Sequence, residues 1–301
     1  MRPPANRPIV VGLGEILWDL LPHGRQLGGA PANFAYHAHA LGAESAVVSA
    51  VGDDEPGREI LRRLDALALN REFVAVDPRH PTGAVSVQLN GQGVPAYRIH
   101  ENVAWDFIPF PPGLEKLAAT ADVIGFGSLA QRAPVSRGTI RRFLAAAQPR
   151  CRRIFDLNLR QSFYDRAGIE SSLRGSNVLK LNTEELPVLA GMFGLRGTTA
   201  AQLRQLLDRF SLELIALTRG PQGAILQTPQ QQASCTGFSV QIADTVGAGD
   251  AFTAALAIGL WTGASLDAIN QHACRLAAFV CSQPGATPAL PPELVSQTSK
   301  K

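Results

Sequence analysis

The chain has 301 residues, 46% of them hydrophobic and 18% charged, with a formal net charge of +3. That is a globular composition with core enough for one large domain or two smaller ones, and its scattered arginines form no aromatic-interleaved basic patch of the kind nucleic acid needs. No apolar run reaches membrane-spanning length, no signal peptide precedes the first strand, and the four cysteines form no CxxC pair, so a cytoplasmic protein with free thiols is expected.

Residues 8–14 read as a buried strand ending in Gly12 and Gly14. A dinucleotide-binding fingerprint would need a third glycine where Leu17 stands, and a helix should follow at once. A strand-like stretch at 16–21 follows instead, with a turn at His23-Gly24. Next come Gly28, Gly29, Ala30, Pro31, Ala32 and Asn33. The glycines allow close backbone approach, and Pro31 suits a first helical turn. The Asn33 amide can donate and accept, which fits a polyol ligand, although a solvated Asn at an ordinary helix start reads the same way. Gly42 closes that helix. A strand over 45–51 leads to Gly52-Asp53-Asp54-Glu55-Pro56, the start of a helix expected to reach about Leu69.

Between 72 and 101 the pattern changes. Alternating segments at 84–89 and 94–101 flank Asn90-Gly91, a hairpin signal. They make a small antiparallel patch outside the main rhythm, and with 16–21 it is expected to form a small lid. On the pleat Tyr97, Ile99 and Glu101 share one face, and Arg98 and His100 the other. Strands then alternate with helices, at 123–126, 153–157, 178–181 and 214–218, and a hairpin is expected over 224–242. This order predicts a parallel sheet covered on both faces. The polar residues Asn158, Asn182 and Thr218 fall at strand C-terminal ends, where open α/β sheets bind ligands.

Two apolar helices close the chain, to Trp261 and from Leu266 to about Cys281. Before the first stands Asp244-Thr245-Val246-Gly247-Ala248-Gly249-Asp250. Free N–H groups at that helix start would attract an anion. A carboxylate there is unfavourable beside phosphate unless Asp250 removes a proton from an attacking hydroxyl. A capped glycine turn is the plainer reading. Asn182 and Glu185, three apart on a helix, would suit a hydrated Mg²⁺. No Walker A sequence is present.

Together these stretches resemble the PfkB, or ribokinase-like, family of sugar kinases over residues 8–291. Gly28 to Ala35, Gly42 and Gly52 are similar to its N-terminal signature, and Asp244 to Asp250 to its C-terminal one. Gly14-Glu15-Ile16-Leu17-Trp18-Asp19 and Asp156-Leu157-Asn158-Leu159-Arg160 are most similar to bacterial fructokinases. The resemblance implies an α/β fold: one three-layer α/β/α sandwich over 1–301 with a mostly parallel sheet. A small β-sheet lid would come from about 15–28 and 84–106. It implies that Asp250 is the catalytic base and that Gly247, Ala248 and Gly249 form an anion hole. Asp19, Gly29, Asn33, Tyr97 and Glu101 would face the sugar. Asn158, Arg160, Asn182, Thr218, Gly220 and Gly223 would lie along ATP, with Gly247 and Gly249. Asn182 and Glu185 would position Mg²⁺ through water, and Asp244 and Val246 would contribute to a K⁺ site, where Ala289 replaces a frequent Ser. A homodimer through the lid is also implied. The expected reaction is ATP-dependent phosphorylation of fructose to fructose 6-phosphate. The alternatives are a kinase for ribose or 2-keto-3-deoxygluconate, or a sugar-binding regulator without catalysis.

Overall fold

The computed structural model describes residues 7–21, 24–89 and 95–295. Strand β1 (Ile9–Leu13) leads to an antiparallel pair, β2 (Leu17–Leu21) and β3 (Gly24–Gly28), and then to α1 (Ala30–Ala40). Next come β4 (Glu44–Gly52), α2 (Glu55–Ala66) and β5 (Val74–Asp77). A second antiparallel pair, β6 (Ala84–Leu89) and β7 (Pro95–Ile99), precedes α3 (Leu114–Thr120). The chain then runs through β8 (Val123–Gly127), α4 (Pro134–Ala146), β9 (Arg152–Asp156), α5 (Arg166–Gly175) and β10 (Val178–Asn182). Helices α6 (Glu185–Phe193) and α7 (Thr199–Phe210) precede β11 (Leu214–Thr218). The hairpin of β12 (Ala224–Gln227) and β13 (Gln232–Cys235) is followed by α8 (Ala248–Thr262), α9 (Leu266–Cys281) and α10 (Pro292–Val295).

Among the described residues, nine strands form the main sheet in the order β13-β12-β11-β10-β9-β8-β1-β4-β5. Strands β11 to β5 in that order run parallel, and β12 and β13 are antiparallel. Both faces are buried because successive side chains alternate. Val10, Val123, Ile154 and Val178 pack toward α1, α8 and α9. Val11, Ile124, Phe155 and Leu179 pack on the opposite side, among residues of α3 to α7. The result is a three-layer α/β/α sandwich.

Strands β3-β2-β6-β7 form a separate four-stranded sheet. Trp18 fixes it to the body: its ring is buried with Ile60 and Leu64 of α2, and its Nε1 donates to the Pro56 carbonyl at 3.0 Å. The residues from Glu101 to Asp106 leave this sheet, and Trp105 is buried in the main core instead. The expected helix end near Leu69 falls at Ala66, because Ala68 takes a positive φ of 53°. The late hairpin pairs only as far as Cys235 rather than to 242. Asn90-Gly91 and His23 lie outside the described residues. No helix among the described residues is long and apolar enough to cross a membrane.

Candidate active site

A cavity of about 550 Å³ opens where the parallel strands end, with the small sheet on its far side. Two helices begin at it. Helix α1 starts after Gly29 (φ 108°) and α8 after Gly247 (φ 80°), conformations that a side chain would strain. A Cβ at Gly29 would lie 2.4 Å from the Glu15 carbonyl oxygen, and one at Gly247 would lie 2.6 Å from that of Ala286. Neither helix start has a side-chain cap. Free N–H groups and positive dipole ends therefore converge on the cavity.

Asp250 sits in the first turn of α8 and lines the cavity. Asn33 Nδ2 of α1 donates to its Oδ2 at 2.9 Å. Burial, and then the Asp156 carboxylate, push the Asp250 pKa up to about 7, against the pull of Asn33, Lys180 and Arg160. Beneath it lies a buried ion pair. Lys180 Nζ donates to Asp156 Oδ1 at 3.0 Å, and Thr253 Oγ1 of α8 donates to Asp156 Oδ2 at 3.2 Å. Lys180 and Asp156 are register partners on β10 and β9, and both point to the α8 side. Burial alone would lower the Lys180 pKa, but Asp156, Glu185 and Asp250 outweigh it and raise it. The ammonium thus stays charged directly under the turn: a Cβ on Gly249 would lie 3.0 Å from it.

The end of the cavity toward the small sheet is lined by Glu15, Asp19, Gly29 and Asn33, with Tyr97 and Ile99 opposite. Burial pushes the Glu15 carboxyl up to about 7 and that of Asp19 up to about 6. Glu15 is almost wholly buried, and its Oε2 has no hydrogen-bond partner. Glu101 does not line the cavity. Strand β7 ends at Ile99, so the alternation that would have aimed Glu101 inward stops before it. Arg98 pairs in register with Ser86, on the face away from Ile99 and the cavity.

Asn158, Arg160, Asp244, Val246, Gly247 and Gly249 also line the cavity. Asn182, Thr218, Gly220 and Gly223 do not. Asn182 and Thr218 are register partners at the ends of β10 and β11, so this group extends the same strand edge. Asn182 is not on a helix with Glu185, contrary to the spacing argument, because it is the last residue of β10. The pair interacts through the backbone instead. Asn182 Oδ1 accepts from the N–H groups of Glu184 and Glu185, and Glu185 Oε2 accepts from the Asn182 N–H at 2.8 Å. Glu185 Oε1 accepts from the Leu159 N–H at 2.8 Å. Each carboxylate oxygen keeps a lone pair, a donor set that suits a hydrated Mg²⁺ held through water. Among the described residues, no group of three or more His, Cys, Asp or Glu forms a direct metal cage. At the expected K⁺ position, the Asp244 carboxylate oxygens already accept the N–H groups of Val246 and Gly285 at 3.0 and 3.3 Å.

Reasoning from sequence assigned no role to Lys180, Asp156, Glu15 or Thr253, although Asp156 and Glu15 stand in stretches that carry the family resemblance. A signal was available for the first two: a charge inside an otherwise apolar strand run, as in Val178-Leu179-Lys180-Leu181 and Ile154-Phe155-Asp156-Leu157.

A family model described as pfkB family carbohydrate kinase matches residues 24–293. The chain is 31% identical over 259 residues to a fructokinase of Salmonella typhimurium, covering 82% of this chain and 83% of that one. An uncharacterized sugar kinase from Pyrococcus horikoshii superposes with a TM-score of 0.81 at 26% identity, over 96% of this chain and 98% of the other. A fructokinase double mutant from Vibrio cholerae O395, solved with fructose, ADP and a potassium ion, superposes with a TM-score of 0.78. Its identity is 26%, over 97% of this chain and 98% of the other.

Proposed function

Because the chain belongs to the pfkB family of carbohydrate kinases, we propose that its acceptor is fructose, its donor ATP and its product fructose 6-phosphate. The observation that carries this reading is Asp250, held by Asn33 in the first turn of α8 with its pKa pushed up to about 7. A base that titrates near the working pH combines availability with driving force. Asp250 takes the proton of the sugar's primary hydroxyl as that oxygen attacks the γ-phosphorus of ATP. The bond to the β-γ bridging oxygen breaks, and ADP leaves. The N–H groups of Gly247, Ala248 and Gly249, with the Lys180 ammonium beneath them, stabilise the negative charge on the transferring group. Mg²⁺ bound through water near Asn182 and Glu185 would supply further neutralisation of phosphate charge. Arg160 and Asn158 reach the phosphates from the β9 side. Thr218, Gly220 and Gly223 extend the nucleotide track.

The sugar end favours a neutral polyol. Glu15, Asp19 and Asp250 place three carboxyl groups at this end and Arg98 faces away, which leaves Arg160 as the guanidinium lining the cavity among the described residues. Asp19, Gly29 and Asn33 offer acceptors and an amide to sugar hydroxyls, and Tyr97 covers them from the small sheet, which acts as the lid. The Salmonella relative's name supports the same choice. Pairing of two copies through the outer face of that sheet, where Leu20 is exposed, belongs to the same reading. ATP turnover with fructose, ribose and 2-keto-3-deoxygluconate tests it. The highest kcat/KM is expected with fructose. A higher value for either rival replaces fructose as the substrate, and sugar binding without an ATP-dependent product would make the chain a regulator.

A further inference from the structure

The proposed chemistry gives no role to one carboxyl group in the cavity wall. Glu15 lies between β1 and β2, where the chain crosses from the main sheet to the small one. Gly29 sits against that crossing, since a Cβ there would meet the Glu15 carbonyl oxygen at 2.4 Å. Glu15 is thus placed beside the start of α1, the helix that brings Asn33 to Asp250. It is only 2% exposed, yet it lines the cavity. Its carboxyl is near enough to Arg160 and Asp250, both in the same wall, to feel their charges.

The Glu15 Oε2 atom is enclosed without a hydrogen-bond partner. Buried carboxyls that serve the fold are paired. Asp106 accepts from Val103 and Arg132, and Asp156 accepts from Lys180 and Thr253. An unpaired buried oxygen is costly, so its persistence at a cavity points to a partner that arrives with the ligand. Asn33 tells the same story: Nδ2 is committed to Asp250, while Oδ1 is buried and unpaired. Two unpaired oxygens at one end of one cavity fit a ligand that brings two hydroxyl groups. The last torsion of a Glu side chain is soft, so either of its oxygens can turn to the ligand. Burial pushes the carboxyl up to about 7, against the pull of its own backbone N–H and Arg160. Near neutral pH it passes between acid and carboxylate, and a hydroxyl, which both donates and accepts, matches either form. We propose that Glu15 is a specificity-determining residue of the sugar site, whose carboxyl pairs with one hydroxyl of the acceptor and so selects against a sugar deoxygenated at that carbon. The inference rests on this end of the cavity holding the sugar.

The test measures sugar Kd by titration calorimetry for wild type, Glu15→Ala, Glu15→Met and Glu15→Gln. The ligands are the sugar that wild type binds most tightly among fructose, ribose and 2-keto-3-deoxygluconate, and its monodeoxy analogues, one for each hydroxyl. Binding is read rather than turnover, so an error over fructose or over Asp250 does not bear on the result. Glu15→Ala and Glu15→Met should weaken the parent sugar about tenfold. For the one analogue that lacks the paired hydroxyl, wild type should lose a similar factor, and the two variants should bind within about twofold of wild type. For the other analogues the tenfold difference should persist, because only the paired hydroxyl is coupled to Glu15. Glu15→Gln, whose amide also donates and accepts, should stay within about threefold of wild type throughout. A loss of equal size with every analogue overturns the proposal, since a carboxyl that only shapes the wall acts on all of them alike. So do Ala and Met variants that bind the parent sugar as wild type does. Met fills the space that Ala empties, so the coupling is still read where Glu15→Ala does not fold.

Discussion

Replacing Asp250 by Asn should separate activity from stability. The new amide oxygen can still accept from Asn33 Nδ2, so the cavity keeps its shape while the base is lost. A positioned general base contributes about 10²–10⁴ in rate, and kcat should fall by that order. Stability should move the other way. Unfolded, the carboxyl titrates near 3.8; folded, burial and Asp156 raise it to about 7. Between those values the folded chain keeps a proton that the unfolded chain has released. Wild-type stability therefore falls as pH rises through that window and stays lowered above it. At about 1.4 kcal/mol per pKa unit the full effect is roughly 4 kcal/mol, a ceiling rather than a central value. Asp250→Asn has no such group. Urea unfolding of both proteins should show the variant more stable, by a margin that widens by roughly 2–3 kcal/mol from pH 5 to pH 8. A margin independent of pH would refute the electrostatic account of the site. A variant kcat within tenfold of wild type would remove Asp250 from the chemistry.

Lys180→Met should leave the Asp156 carboxylate buried with Thr253 as its remaining side-chain partner. Breaking one side of a buried pair costs about 3–5 kcal/mol, readable in the urea midpoint. Removing that cation should also raise the Asp250 pKa, moving the low-pH limb of the kcat profile to higher pH. Glu15→Gln keeps the side-chain shape without its ionisation. Burial raises the Glu15 carboxyl from 4.5 to about 7, so wild type should lose stability as pH rises through that interval. The variant should lose less, and equal pH slopes for the two proteins would show that Glu15 ionises as freely folded as unfolded.

The parts of the site that were legible in the sequence are local ones. Gly28 to Asn33 and Asp244 to Asp250 each carry their chemistry within a few residues, and each became a glycine-led helix start at the cavity. The parallel strands were legible because both their faces are apolar. Strand β3 escaped notice because Gly24-Arg25-Gln26-Leu27-Gly28 has one apolar residue and a glycine at each end; it is a strand because β2 offers it a partner. The Lys180, Asp156 and Thr253 cluster joins positions 24 and 97 residues apart, so only the sheet register and the docking of α8 assemble it. Asn182 and Glu185 were rightly paired but wrongly placed, since three-residue spacing cannot distinguish a helical face from a strand end bonded to the next helix. Glu101 was lost for a related reason: periodicity extends an alternation past the residue where the strand stops.

The small sheet is fastened unequally at its two ends. At β2, Trp18 is buried against α2, with Arg25 and Arg63 over its ring. At β7, Ile99 is buried in the main core, while Tyr97 is exposed and tied to the body only through its carbonyl, which accepts from Gln161 Nε2 at 2.6 Å, among the described contacts. Water can replace that hydrogen bond at little cost, and nothing in solvent can replace the burial of Trp18. Local opening of the small sheet therefore costs least at the Tyr97–Gln161 contact and most at Trp18.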